Sequence, residues 1–299
     1  MHQAVLLQES IACVDPRPGR FMIDGTLGAG GHARAMLEQM KGKGTLLAID
    51  GDAKSLERTA REIKAELRDT RNRTTFIAEH GNFVSVRTIL AKHLLPKANG
   101  FLIDLGFSSD QLEGGNGLSF LRDEPLDMRY GIFAGKESAA DIVNDASETR
   151  IEAILREYGE ERYARQIAAA IVWKRRTRPF SMTTDLVETV MHSLPRRYER
   201  GRIHPATRTF QALRIVVNRE LENLEAVLGE LPLIMARHGR VAVISFHSLE
   251  DRIVKHSFKT FATEGKATLV TKKPIVPTLA ECRGNPRSRS AKLRAIEFV

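Results

Sequence analysis

Short apolar runs rich in Val, Ile, Leu and Phe recur along the chain, and most are followed by a stretch with apolar residues every three or four positions. Such runs read as buried parallel strands, and the amphipathic stretches as the helices that join them. Strands are expected at Phe21–Asp24, Thr45–Asp50, Thr75–Ala78, Phe101–Asp104 and Arg240–Ser245. Helices are expected at His32–Met40, Ala53–Leu67 and Val84–His93, with Asn82 as cap of the third. The first four strands arrive roughly every 25 to 30 residues, the spacing of a βαβ unit.

After Asp104 the rhythm fails, and no further strand is expected until Arg240. The interval reads as loop followed by helices at Ala139–Asn144, Glu148–Tyr158, Glu160–Lys174 and Asp185–Leu194, an insertion into the sheet domain. One long helix, Thr207–Leu228, leads back into the fifth strand, and Ala267–Lys272 with Leu293–Val299 could close the sheet as an antiparallel edge. The expectation is an α/β protein with a mostly parallel sheet. Its sheet domain is formed by residues 1–112 and 206–299, and residues 113–205 form an inserted helical subdomain.

A chain of 299 residues that is 42% hydrophobic can bury a sizeable core. No basic region followed by an apolar stretch opens it, so neither a signal peptide nor a membrane span is expected, and the cytoplasm is the expected compartment. Cys13 and Cys282 are the only cysteines and form no C-x-x-C, which argues against a zinc site or a disulfide framework. The net charge of +9 suits a polyanionic partner, and it is unevenly spread: residues 206–299 hold 16 Lys and Arg against 9 Asp and Glu.

Gly28-Ala29-Gly30-Gly31-His32-Ala33 fits G-x-G-x-x-G/A between the first strand and its helix, the pattern of a dinucleotide grip. Asp50, 22 residues after Gly28, stands where a ribose-binding acid is expected for a dinucleotide or an adenosyl ligand alike. Asp24, just before the loop, would repel a pyrophosphate but could receive the ammonium group of a methionine moiety. S-adenosylmethionine (SAM) therefore fits better than a nicotinamide cofactor, while a nicotinamide-dependent oxidoreductase or a purely structural glycine turn stays open. Asp104 and the polar loop behind it, with Ser108 and Ser109, suit an amine acceptor such as the N4 of cytosine, although by themselves they read as an ordinary strand-to-loop turn with Ser caps. That nitrogen is a poor nucleophile, and an acceptor for its N–H bonds would favour the pyramidal form that attacks.

Several blocks together resemble one family, the bacterial 16S ribosomal RNA cytosine-N4 methyltransferases (RsmH or MraW). They are AVLLQE near the start, DGTLGAGGHARAML, LLAIDGD, HGNF, IDLGFSSDQL, SFLRDEPLDMRY, YGEERYARQIAAAI, HPATRTFQALRIVVNRELENLE, GRVAVISFHSLEDRIVK and NPRSRSAKLR, in order over essentially the whole chain. The resemblance implies a class I, Rossmann-like methyltransferase fold with a seven-stranded sheet and a helical insertion. It also implies SAM as donor without a metal, and a cytidine in the decoding region, at the P site, of small-subunit ribosomal RNA as acceptor. Carried over by position, it places cofactor contacts on Gly30, Gly31, His32, Asp50, Phe83, Asp104 and Gln111, to which the glycine pattern adds Gly28. Two departures stand out: Asn116-Gly117-Leu118-Ser119-Phe120 replaces the family's Arg-Gly-Phe-Ser-Phe, and Gly51 replaces a larger residue.

His247 follows the fifth strand and could face the target base, while Ser248-Leu249-Glu250-Asp251 matches a helix-capping box, which would make the histidine structural. The catalytic candidates are thus Asp104, Ser108, Ser109 and His247. Arg175, Arg176, Arg178, Arg208, Arg287 and Arg289 are the candidate RNA contacts, with solvated helix ends as the rival reading. Methylation of another RNA or of DNA, or an assembly role without turnover, remains open, and the oligomeric state is unassigned, a homodimer being one candidate.

Overall fold

The structure is a computed structural model that describes residues 4–68, 73–106, 114–130, 135–195, 198 and 203–299. Seven strands form one sheet in the order β3-β2-β1-β4-β5-β7-β6. They are β1 (Phe21–Asp24), β2 (Lys43–Asp50), β3 (Arg73–His80), β4 (Ala98–Asp104), β5 (Met235–Ser245), β6 (Ala267–Leu269) and β7 (Lys292–Phe298). The first five run parallel, and β7 pairs antiparallel with both β5 and β6. The mostly parallel α/β sheet with an antiparallel edge is the one the sequence pattern predicts.

Side chains alternate across the pleat, and both faces are buried. Along β1, β2, β4 and β5, residues Ile23, Leu47, Phe101 and Val243 point into one core; Met22, Leu46, Leu102 and Ile244 point into the other. The first face is covered by α4 (Val86–Lys92), α10 (Glu220–Ile234) and α11 (Ser248–Thr263), and the second by α1 (Leu7–Val14), α2 (Gly31–Met40) and α3 (Ala53–Glu66). Leu224, Val227, Leu228 and Leu231 show why α10 lies where it does, because their spacing makes one apolar stripe.

The chain divides into two compact units, residues 1–108 with 221–299, and residues 109–220. The second unit has its own core, built from α5 (Ala139–Asp145), α6 (Glu148–Gly159), α7 (Ala164–Arg175), α8 (Thr183–Ser193) and α9 (Thr207–Asn218). Its boundary therefore lies beyond α9, which packs on α6, rather than at residue 205. The expected single helix Thr207–Leu228 is two: Arg219 adopts a left-handed φ of 51° between α9 and α10. Buried Asn218 is the last residue of α9 before the break and is held within the second unit. Its side chain donates to the Met128 and Arg214 carbonyls and accepts the Tyr130 N–H.

Other edges move by less. Glu160, at φ 49°, ends α6, so α7 begins at Ala164 rather than Glu160. Strand β6 stops at Leu269, and two helices were not anticipated, α1 and the short α12 (Leu279–Gly284). Among the described residues no helix is long and apolar enough to cross a membrane.

Candidate functional site

The sheet order reverses between β1 and β4, the switch point at which open α/β sheets hold their ligands. Three carboxylates end neighbouring strands there: Asp24 on β1, Asp50 on β2 and Asp104 on β4.

Asp24 is 1% exposed. Its Oδ1 accepts the Thr26 N–H at 3.1 Å, while Oδ2 is buried without a hydrogen-bond partner among the described residues. Burial pushes this carboxyl up to about 6, opposed by His32 and reinforced by Asp104 and Asp50. An orphaned carboxylate oxygen in a strand-end crevice is completed by a cation and repels an anion. Thr26 also joins the first and fourth strand ends, since its Oγ1 accepts the Asp104 N–H at 2.8 Å.

Asp50 organises the glycine loop. Its Oδ2 accepts the Gly28 N–H at 2.6 Å and its Oδ1 the Asp52 N–H at 2.9 Å, while burial raises its pKa. From α3, the Thr59 hydroxyl donates to the Gly28 carbonyl, and Arg34 of α2 donates to the Ala29 carbonyl. The glycines also have reasons inside the protein. Gly30 sits at φ 78°, where a Cβ would come within 2.7 Å of Thr59, and a Cβ on Gly31 would lie 2.8 Å from that of Ala4. Beyond β3, the Gly81 N–H donates to the Asp50 carbonyl, and Asn82 caps the 3-10 turn that carries half-buried Phe83 next to the Asp50 end of the crevice.

His32, 5% exposed, opens α2 and links two sides of the site. Its Nε2 lies 3.1 Å from the Val5 carbonyl and its Nδ1 lies 3.8 Å from Asp104 Oδ2. Asp104 itself is half-buried, with its Oδ1 accepting the Gly106 N–H.

The MraW methylase model matches residues 1–299. The chain belongs to the MraW methylase family. Relatives that span nearly its full length include the protein of Pelobacter propionicus named "Ribosomal RNA small subunit methyltransferase H", 42% identical over 99% of this chain and 98% of its own. Proteins with the same name from Citrifermentans bemidjiense and Trichlorobacter lovleyi are 43% and 41% identical, over 100% and 99% of this chain and 98% and 97% of theirs. A solved rRNA methylase of Streptococcus thermophilus aligns over 100% of this chain and 99% of its own with a TM-score of 0.43 and 9% identity, too distant to add to the sheet order itself.

For this MraW-family chain, the structure brings together Gly28, Gly30, Gly31, His32, Asp50, Phe83 and Asp104 at the carboxyl end of the sheet. Ser108, Ser109 and Gln111 lie outside the described residues. His247 is the N-cap of α11: it accepts the Glu250 N–H, and its Nε2 is 3.0 Å from Glu250 Oε1, within ion-pair reach but off hydrogen-bond alignment. The cap is thus one residue earlier than the Ser248 box suggested, with Glu250 reaching back to the Phe246 N–H.

The candidate RNA arginines separate by environment. Arg175 donates to the Val143 and Ala146 carbonyls and Arg208 to the Glu160 carbonyl, both inside the second unit. Arg176, Arg178, Arg287 and Arg289 are exposed, the first two beside Trp173, which is 67% exposed. In the departing Asn116-Gly117-Leu118 segment, Gly117 is fixed by its own unit, at φ 72° with a Cβ position 2.3 Å from the Pro125 carbonyl. Sequence reasoning assigned no role to Thr26, Thr59 or the Ala4–Leu6 segment; that segment belongs to the family-like block AVLLQE, but nothing in the block says what it packs against.

Proposed function

We propose that the chain uses SAM to methylate the N4 amino group of a cytidine in the decoding region, at the P site, of 16S ribosomal RNA. The observation that carries the reading is the orphaned Asp24 Oδ2 beside the glycine loop: an ammonium group there completes it, whereas a pyrophosphate would not. Membership of the MraW methylase family supports methyl transfer, and the relatives' name supports small-subunit ribosomal RNA as the acceptor.

The residues fit the donor. Asp24 would hold the methionine ammonium and Asp50 the ribose hydroxyls, with Phe83 against the adenine. When bound, SAM supplies an electrophilic methyl group; the new N4–carbon bond forms as the carbon–sulfur bond breaks. Asp104 would accept an N–H of the cytosine amino group, hold the nitrogen lone pair toward the methyl and take up the proton after transfer. His32, with its Nδ1 3.8 Å from Asp104 Oδ2, flanks this carboxylate and is assigned no contact with the base. Catalysis is then mostly alignment and exclusion of water, and the reading assigns it no metal. A base within an RNA stack has to be turned out, which costs a few kcal/mol. Trp173, Arg176 and Arg178 supply one exposed aromatic and two cations of the kind that grips RNA. An enzyme of this substrate works where ribosomes assemble, in the cytoplasm.

Titration with SAM and with NAD separates this reading from the oxidoreductase. Tritiated methyl transfer from SAM to small ribosomal subunits lacking the mark tests the reaction. Binding of NAD in preference to SAM, or no transfer to subunits or naked RNA, overturns it.

A further inference from the structure

One groove of the sheet unit lies outside the crevice of the three carboxylates and includes Arg289, one of the candidate RNA contacts. It has a volume of about 600 Å³, and its lining includes Val276, Pro277, Leu279, Cys282, Arg283 and Arg289. That is ample for one nucleotide, within the size range of ligand sites. Leu279 is 79% and Val276 57% exposed, so the groove offers apolar surface to a ligand. Arg283 and Arg289 are exposed, and no acid pairs with either among the described residues. Glu281, the acid nearest in sequence, is turned away from this work, since its Oε1 accepts the Leu6 N–H at 2.8 Å.

The groove is built rather than frayed. One wall is pinned to the sheet by paired bonds between Ile275 and Leu293, and the other is α12, capped by Thr278 and followed by a 3-10 turn, Pro286–Ser290. Its position is fixed by the register. Strand β7 starts at Lys292, opposite Ser245, and the next pair is Leu293 with Ile244, whose neighbour on β4 is Asp104. The groove therefore opens at the same end of the sheet as the three carboxylates. A continuous strap joins them as well: Glu281 holds Leu6, and the adjacent Val5 carbonyl meets His32.

We infer that this groove binds a single-stranded segment of the RNA substrate near the target nucleotide, with Arg283 and Arg289 on phosphates and a base or ribose against Leu279 and Val276. The inference rests on the RNA-methylating reading. Charge selects the occupant: two unpaired arginines flank apolar walls, in a region whose basic excess is the largest in the chain. A phosphate-bearing strand offers both complements in one molecule.

The test compares Arg283→Gln/Arg289→Gln with Lys54→Gln/Lys64→Gln, which removes the same charge from the exposed side of α3. Binding of a single-stranded RNA oligonucleotide and of unmethylated small subunits is measured without SAM over a range of salt, so it reads the groove even if the reaction assignment fails. The groove variant should raise the Kd and the KM for subunits about tenfold and flatten the salt slope by about 1.4, two phosphate contacts' worth, while SAM affinity stays unchanged. Leu279→Ser should weaken RNA binding without changing the slope. The inference is overturned if the groove variant matches the α3 control. It is equally overturned if only subunit binding falls while RNA binding holds, which would give the groove to a ribosomal protein.

Discussion

Nδ1 of His32 stands 3.8 Å from Oδ2 of Asp104, while Nε2 of the same ring lies 3.1 Å from the Val5 carbonyl. The imidazole thus braces the N-terminal segment against the glycine loop and stands beside the end of β4. His32→Ala would leave a buried carbonyl unpaired, and denaturant unfolding should show a loss of about 1 to 3 kcal/mol. Unchanged stability would remove the brace from the account. Asp104→Ala should lower the methylation rate about a hundredfold or more, and full activity in that variant would end its proposed role.

Asp24 makes the free protein sensitive to pH. Its carboxyl titrates near 3.8 when unfolded and near 6 when folded, so the folded state holds the proton more tightly. The associated stability is fully present below about pH 4 and is lost as pH rises through 6, a difference of about 3 kcal/mol at 1.36 kcal/mol per unit. Asp24→Asn should therefore flatten the stability profile between pH 4 and 7 and raise the stability of the free protein at pH 8, while weakening SAM binding. Parallel profiles for the two proteins would contradict this.

Gly31 and Ala4 form a matched pair, because a Cβ on the first would lie 2.8 Å from the Cβ of the second. Gly31→Ala should weaken SAM binding by displacing the N-terminal segment, and Ala4→Gly in the same chain should restore most of it. Absence of rescue would point to a clash with the ligand instead of with Ala4.

Asp251 bonds to Arg294 at 2.6 Å and to Lys292 at 3.1 Å. Burial raises its carboxyl, but Arg294 and Lys292 outweigh that and hold it below the usual range. Its stabilising effect is present above the unfolded carboxylate range, near pH 4, and is lost as pH falls below it. Asp251→Ala would leave Arg294 with no counter-charge at a site only 11% exposed, and thermal or denaturant unfolding should show a loss of about 3 kcal/mol.

His247 should behave as a cap and not as a base. His247→Asn is expected to retain activity and stability, while His247→Ala should cost about 1 kcal/mol with methylation preserved. A hundredfold fall in rate for the asparagine variant would restore a chemical role.

Much of this site was legible because its carboxylates terminate apolar runs. Asp24, Asp50 and Asp104 each follow a strand pattern directly, and a parallel sheet brings such ends together. The brace was not legible, since His32 meets Val5 across 27 residues of sequence, and AVLLQE marks the segment of Ala4 and Val5 without saying that Gly31 and His32 pack on it. The split at Arg219 was hidden because no Gly or Pro marks it, and the adjacent Asn218 is engaged with Met128 and Tyr130 across 90 and 88 residues of sequence. Helix-capping motifs place a helix start well, yet the capping atom came from His247 and not from Ser248.

The central claim is that the crevice at the β1–β4 switch point methylates a cytidine of small-subunit ribosomal RNA. Its most direct test is nucleoside mass spectrometry of small subunits lacking the modification, incubated with the purified protein and SAM. The account predicts N4-methylcytidine at one decoding-region position, abolished by Asp104→Ala. SAM binding without any methylated cytidine, or a methyl group on another base, would contradict it.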